Sequence, residues 1–168
     1  YEADHKRSYD NLFRCFWDSA KGCFTHGPVG SANGMVKRHT NMFAVLFGYL
    51  NEEQTRSVIQ NALMNPEVPA ITTPYMRFYE LVSLCAVGQN EQVTQFLRDY
   101  WGGMLNLGAT SFWEEYNPAQ TGNEHYAMYG RPYGKSLCDA WGAGPIYLYG
   151  GYYLGVAPVE PGYKTFEI

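Results

Sequence analysis

The sequence predicts an all-α fold built from antiparallel helical hairpins. Three observations carry this. Apolar residues recur at the 3.6-residue period along most of the chain. Helix-start signals stand where the periodic stretches begin: Asn51 with Gln54 three residues on, and Thr73 followed by Pro74. No strand-rich block interrupts the pattern.

The elements follow in order. Tyr9, Leu12, Phe13, Phe16 and Trp17 lie on one face of a first helix. The stretch "DSAKGCFTHGPVGSANG" breaks it with glycines and a proline. A second helix carries Phe43, Leu46, Phe47 and Leu50, with Met42, Val45 and Tyr49 on its other side. It is apolar nearly all round, which predicts burial. Asn51 and Gln54 form a capping box for a third helix with Val58, Ile59, Ala62 and Leu63, and Asn65-Pro66 ends it. A fourth helix runs from Thr73-Pro74 to Gly88. Asn90 opens a fifth, with Val93, Phe96, Leu97, Tyr100, Trp101 and Met104 on its buried side.

From Pro118 to Gly134 the helical period vanishes, and this loop holds Tyr126, Tyr129, Arg131 and Tyr133. A last helix begins near Pro145, because proline suits a first-turn position. The tail "GVAPVEPGYKTFEI" turns toward strand character. The two long connections, near residues 18–38 and 110–140, are rich in aromatics and Gly and poor in charge. That composition favours binding loops over disorder.

Composition narrows the function. Charged residues are 17% of the 168, aromatics are also 17%, and 15 residues are Tyr. A core has little use for so many phenols, since each buried hydroxyl needs a partner. Concave aromatic surfaces that bind something are a natural use for them. A net charge of -4 with scattered Lys and Arg argues against nucleic acid as a partner. No apolar run is long enough to span a membrane. The chain opens YEADHK without a Met, as a piece of a longer polypeptide would. Cys15, Cys23, Cys85 and Cys138 show no zinc-ligand spacing. Cys15, Cys85 and Cys138 lie in apolar stretches, which predicts buried thiols. His5, His26, His39 and His125 are far apart in sequence. Neither a metal nor another cofactor is expected.

The segment "GATSFWEEYNP", Gly108 to Pro118, poses the chemical question. It sets Glu114 and Glu115 against Phe112 and Trp113. Such acids are either a solvated loop end or a catalytic carboxylate in an aromatic-walled sugar pocket.

"WGGMLNLGATSFWEEY", "KSLCDAWGAGPIYLYGGYYLGV" and "PGYKTFEI" resemble the C-terminal part of the catalytic domain of α-L-rhamnosidases of glycoside hydrolase family 78. "WDSAKGCFTHG", "RHTNMFAVLFG" and "PYMRFYELVSLCAVG" precede them in the family's order. The resemblance implies that residues 1–155 form the second half of an (α/α)6 barrel. Residues 156–168 would then lead toward a following β-sandwich domain. It also implies inverting hydrolysis of terminal α-L-rhamnosides, with the general base at the Glu of the F-W-E block, Glu114. The general acid would lie upstream, in the missing N-terminal half of the barrel, so the fragment alone would be inactive. Glu115, Glu80 beside Arg77, and Asp99 read as structural or surface acids, while Glu124 stays open.

Four residues are candidate contacts for a carbohydrate substrate: Trp113, Tyr133, Asp139 and Trp141. Trp113 forms a pocket wall or anchors its loop in the core. Trp141 stacks on the apolar face of a deoxy sugar or is itself core. Asp139 stands where the family commonly has His, which puts the sugar preference in question. Two other readings remain. One is a non-catalytic helical domain that binds carbohydrate or protein; the other is an (α/α)6 glycosidase for another sugar. The bacterial cytoplasm, the periplasm and the cell surface all stay open as compartments.

Overall fold

Local sequence and helix ends account for most of the backbone. The structure, a computed structural model, describes residues 1–168. Its α-helices are α1 (Glu2–Phe16), α2 (Arg38–Leu46), α3 (Glu52–Val58), α4 (Pro74–Ala86), α5 (Asn90–Asn106) and α6 (Gly144–Leu148). Two-residue strands pair antiparallel as β1 (Trp17–Asp18) with β2 (Cys23–Phe24), and β3 (Ala157–Pro158) with β4 (Phe166–Glu167). The fold is thus all-α, as the periodicity predicts. No helix is long and apolar enough to cross a membrane. Contacts divide the chain into two compact units, Tyr1–Ala70 and Ile71–Ile168.

The first unit is organised around Phe24. The glycine-rich stretch after α1 is not merely a loop, since it holds the β1–β2 hairpin and buries Cys23 and Phe24 completely. Edge-to-face contacts of Phe24 with Phe13 and Trp17, at centroid distances of 5.0 and 5.1 Å, tie α1 to this hairpin. Asn41 of α2 reads the Phe24 backbone from the other side. Its Oδ1 accepts from Phe24 N–H at 2.9 Å, and its Nδ2 donates to Phe24 C=O at 2.9 Å. A buried backbone segment outside a long ladder needs such partners.

The Asn51–Gln54 capping box forms with both of its hydrogen bonds, at 3.1 and 2.9 Å. After α3 the chain widens into a π-helical turn, Ile59–Leu63. The carbonyls beyond it are collected by Arg38, which donates to Leu63, Asn65 and Val68 at 2.7, 3.2 and 3.2 Å. One expectation fails here. α2 buries Met42, Ala44 and Val45, but Phe47 and Tyr49 are exposed. The helix stops at Leu46 and Gly48 turns left-handed at φ 67°, so the last aromatics leave the buried stripe.

The second unit is built on the α4–α5 hairpin. Gly88 closes it, with φ 78° and its N–H donating to Cys85 C=O at 3.0 Å. Leu81, Leu84, Val93, Leu97, Tyr100, Trp101, Met104 and Leu148 form its core. Complete burial of Leu81 and Leu84 contributes about 1.5–3 kcal/mol each. Arg77 and Glu80 are not the routine surface pair that their spacing suggests. Both are buried within α4, they hydrogen-bond to each other, and the guanidinium lies 4.3 Å from the Phe96 ring centroid.

α6 is short and continues as a π-helical turn, Tyr149–Tyr153. It leaves Ile146, Tyr147, Tyr149 and Leu154 exposed. The cysteine expectation also needs correction. Cys85 is buried, Cys15 is half-buried, and Cys138 is exposed because its segment is loop rather than helix.

Candidate functional site

Two loop segments, 111–116 and 136–142, build the site by docking on each other. Glu114 N–H donates to Ser136 C=O at 2.9 Å, and Asp139 N–H donates to Phe112 C=O at 2.8 Å. The Ser111 hydroxyl adds a hydrogen bond to Leu137 C=O. The pair then seats on the helices. Tyr116 N–H and the Tyr100 hydroxyl both donate to Thr72 C=O, at 2.9 and 2.6 Å. Trp101 Nε1 donates to Gly142 C=O at 2.8 Å.

Glycine makes two of these approaches possible. A Cβ on Gly103 would lie 2.3 Å from the Tyr116 hydroxyl oxygen, and one on Gly142 would lie 2.5 Å from Phe112 Cβ. Neither gap admits a side chain.

The resulting pocket encloses about 200 Å³ and is lined by Thr73, Pro74, Tyr75, Glu114, Met128, Tyr129, Asp139 and Trp141. That is smaller than the usual drug-sized site and suits one small ring. Its wall is aromatic and its charge is purely acidic, from Glu114 and Asp139. Trp141 is 69% exposed, and its ring leans on Tyr75 at a centroid distance of 4.9 Å and 32°. An exposed indole braced by a second ring offers a flat apolar face. A larger cavity of about 450 Å³ lies along α5 and Pro145. Its lining holds no carboxylate.

Within the pocket Glu114 is half-buried, and both of its oxygens are engaged. The Tyr129 hydroxyl donates to Oε1, and Ser136 N–H donates to Oε2 at 3.0 Å. The Tyr129 phenol, then the Ser136 amide, hold this carboxyl below its ordinary range, with the Lys135 charge assisting and burial opposing. The same bond pushes the Tyr129 phenol up. Glu114 is therefore an ionised acceptor, the state a general base requires.

Glu115 turns elsewhere. Its Oε1 accepts from Thr72 Oγ1 at 2.9 Å, and its Oε2 lies 3.5 Å from the buried Lys135 ammonium. It is a structural carboxylate. Asp139 does two things at once. Its Oδ1 accepts from Trp141 N–H at 2.9 Å, capping the 3₁₀ turn Ala140–Gly142, while the residue also lines the pocket. Glu124 caps its own turn by accepting from Thr121 N–H at 2.8 Å. Asp99 accepts from Gln95 on the exposed side of α5.

The structure thus brings Glu114, Asp139 and Trp141 together. It places neither Trp113 nor Tyr133 in the lining of this pocket. Trp113 is 3% exposed and packs on Tyr126 at 5.8 Å, so it anchors the loop from within the core. Tyr133 is exposed and stacks on Tyr126 at 6.4 Å, outside the pocket. Tyr129 and Tyr75 hold the wall instead. Tyr75 was legible in principle, because a residue just after a Thr-Pro helix start sits at the helix mouth. Tyr129 carries a weaker signal, the Gly130 that follows it in a turn.

No family model and no curated protein matches this sequence. Among solved structures, the GH78 family rhamnosidase of Bacillus sp. GL1 is similar, with a TM-score of 0.75 and 24% identity over 94% of this chain. The chain spans 16% of that rhamnosidase's length. The likeness is one of fold: the helical framework described here resembles part of a GH78 rhamnosidase chain.

Proposed function

We propose that this chain is a glycosidase segment of the α-L-rhamnosidase type, in which Glu114 is the general base of an inverting hydrolysis. The observation that carries this reading is an ionised carboxylate, fixed at both oxygens, in a sugar-sized pocket beside an exposed tryptophan. The fold likeness to a rhamnosidase supports it.

Inversion needs a carboxylate to take a proton from water on one face of the sugar. A carboxylic acid about 6.5–9.5 Å away protonates the leaving oxygen on the other face. Glu114 supplies the first function. The second is assigned, on the resemblance to the rhamnosidase family, to a residue of the other half of the barrel in the complete enzyme. Trp141 presents an apolar face to the methyl-bearing side of a 6-deoxy sugar, and Asp139 accepts from its hydroxyls.

The test is hydrolysis of an aryl α-L-rhamnoside by the complete enzyme, with the anomer released followed by NMR. Immediate release of the inverted sugar supports the reading, and a retained anomer rejects it. A second reading, a non-catalytic carbohydrate-binding domain, is favoured by the acid replacing His at position 139. Tight rhamnose binding without turnover in the complete enzyme would decide for it.

A further inference from the structure

Tyr129 occupies a backbone position that its residue type avoids. Met128 and Arg131 exchange two hydrogen bonds, at 3.1 and 2.9 Å, across a two-residue turn. Both central residues are left-handed, Tyr129 at φ 54° and Gly130 at φ 72°. This is the type I′ arrangement, whose first central position favours Asn, Asp or Gly. Tyrosine there is uncommon and locally unfavourable. Nor does burial hold it, because the side chain is 71% exposed. What the position does achieve is aim: from the tip of this turn the phenol reaches Glu114 Oε1.

We infer that Tyr129 is a positioning residue for Glu114, fixing one carboxylate oxygen so that the base meets its water in a single orientation. This rests on the reading of Glu114 as the base. Ser136 N–H fixes Oε2 from the opposite segment, so the carboxylate is held from two independent elements. A two-point hold removes rotation about the terminal bond of the side chain, the freedom that would otherwise scatter the base among unproductive orientations. The other titratable groups near Glu114 are Lys135 and Asp139, the adjacent Glu115, and Tyr75 across the pocket. None of them hydrogen-bonds to its carboxylate.

The test uses two substitutions in the complete enzyme, beside Glu114→Gln. Tyr129→Phe deletes only the hydroxyl. Tyr129→Asn also deletes the phenol but relieves the turn. Both should lower kcat about ten-fold, the order expected for one hydrogen bond to a charged group. KM should stay within roughly two-fold, because ground-state contacts remain. The acid limb of the kcat/KM profile should move to higher pH as Glu114 loses its donor. Tyr129→Asn should nonetheless melt no lower than the parent, which a merely structural role would not give. An unshifted acid limb and parental kcat in Tyr129→Phe, with turnover abolished in Glu114→Gln, would overturn the positioning role alone. Parental turnover in Glu114→Gln would overturn the base assignment and this role with it.

Discussion

Ser136 and Glu114 satisfy each other twice. The Ser136 carbonyl accepts the Glu114 amide at 2.9 Å, and the Ser136 amide donates to the Glu114 carboxylate at 3.0 Å. One exchange is backbone to backbone and sets the height of the loop. The other turns the side chain. Together they explain how two sequence blocks far apart in the chain produce one carboxylate in one orientation. Any disturbance of the 136–139 segment is therefore felt at Glu114 directly.

Glu114→Gln keeps the side-chain shape and removes the proposed base. In the complete enzyme kcat should fall by roughly 10²–10⁴, the usual contribution of a positioned proton-transfer group. Steady-state kinetics on an aryl α-L-rhamnoside read this, with KM nearly unchanged. The same variant has a stability signature. Because the folded carboxyl is depressed, the stabilisation from its donors is present above the ordinary carboxylate range. It is lost as pH falls through the lowered folded value. Acid-melting curves of parent and variant should converge at the lowest pH.

Glu115→Gln should behave in the opposite way. Its carboxylate is the ionic partner of Lys135, whose side chain is 0% exposed. Losing the charge removes that ion pair and leaves the ammonium among neutral acceptors, with Gln120 Oε1 at 3.5 Å. The cost should be about 1–3 kcal/mol of stability, that of a buried polar group left poorly paired. Thermal denaturation checks this, while kcat in folded protein should stay close to that of the parent. A larger loss of kcat at Glu115 than at Glu114 would show the two roles exchanged.

Much of this was legible in the sequence, for reasons that differ by residue. The Asn51–Gln54 box and the Thr73-Pro74 start are local signals, and local hydrogen bonding and proline geometry decide them. Glu114 and Asp139 stood out because short blocks carry them, Glu114 in F-W-E and Asp139 at the place where the family commonly has His. The pocket wall was not. Trp113 and Trp141 are both tryptophans in aromatic loop segments, and nothing local says which one faces in. That depends on Gly142 allowing Phe112 to pack closely, a contact across thirty residues of chain. The burial of Glu80 likewise depends on neighbours that periodicity does not name.

Thiol reactivity should separate the cysteines cleanly. Cys138 is exposed, whereas Cys23 and Cys85 are buried. Burial pushes the Cys85 thiol up to about 11. Alkylation of native protein near neutral pH should therefore mark Cys138 first, because the thiolate is the nucleophile and access is required. Peptide mapping after a brief treatment checks the order. Labelling of Cys85 before Cys138 would contradict the burial described here.

Asp139 offers the sharpest test of substrate preference, because its structural and pocket duties can be separated. Its Oδ1 holds the Trp141 amide and so keeps the indole in place. Asp139→Asn retains that acceptor, since Asn is an equally good cap, but removes the charge. Stability should hardly change. Asp139→Ala loses the cap as well, and should cost about 1 kcal/mol and loosen Trp141. Indole fluorescence can report that loosening. Asp139→His supplies a neutral group that both donates and accepts. On a simple aryl α-L-rhamnoside its activity should rise by an amount corresponding to about 0.5–1.5 kcal/mol, one hydrogen bond regained. His does not cap the turn as Asn does, so Asp139→His should be less stable than Asp139→Asn while being more active. If Asn and His give the same substrate ranking as the parent, Asp139 serves only to cap its turn.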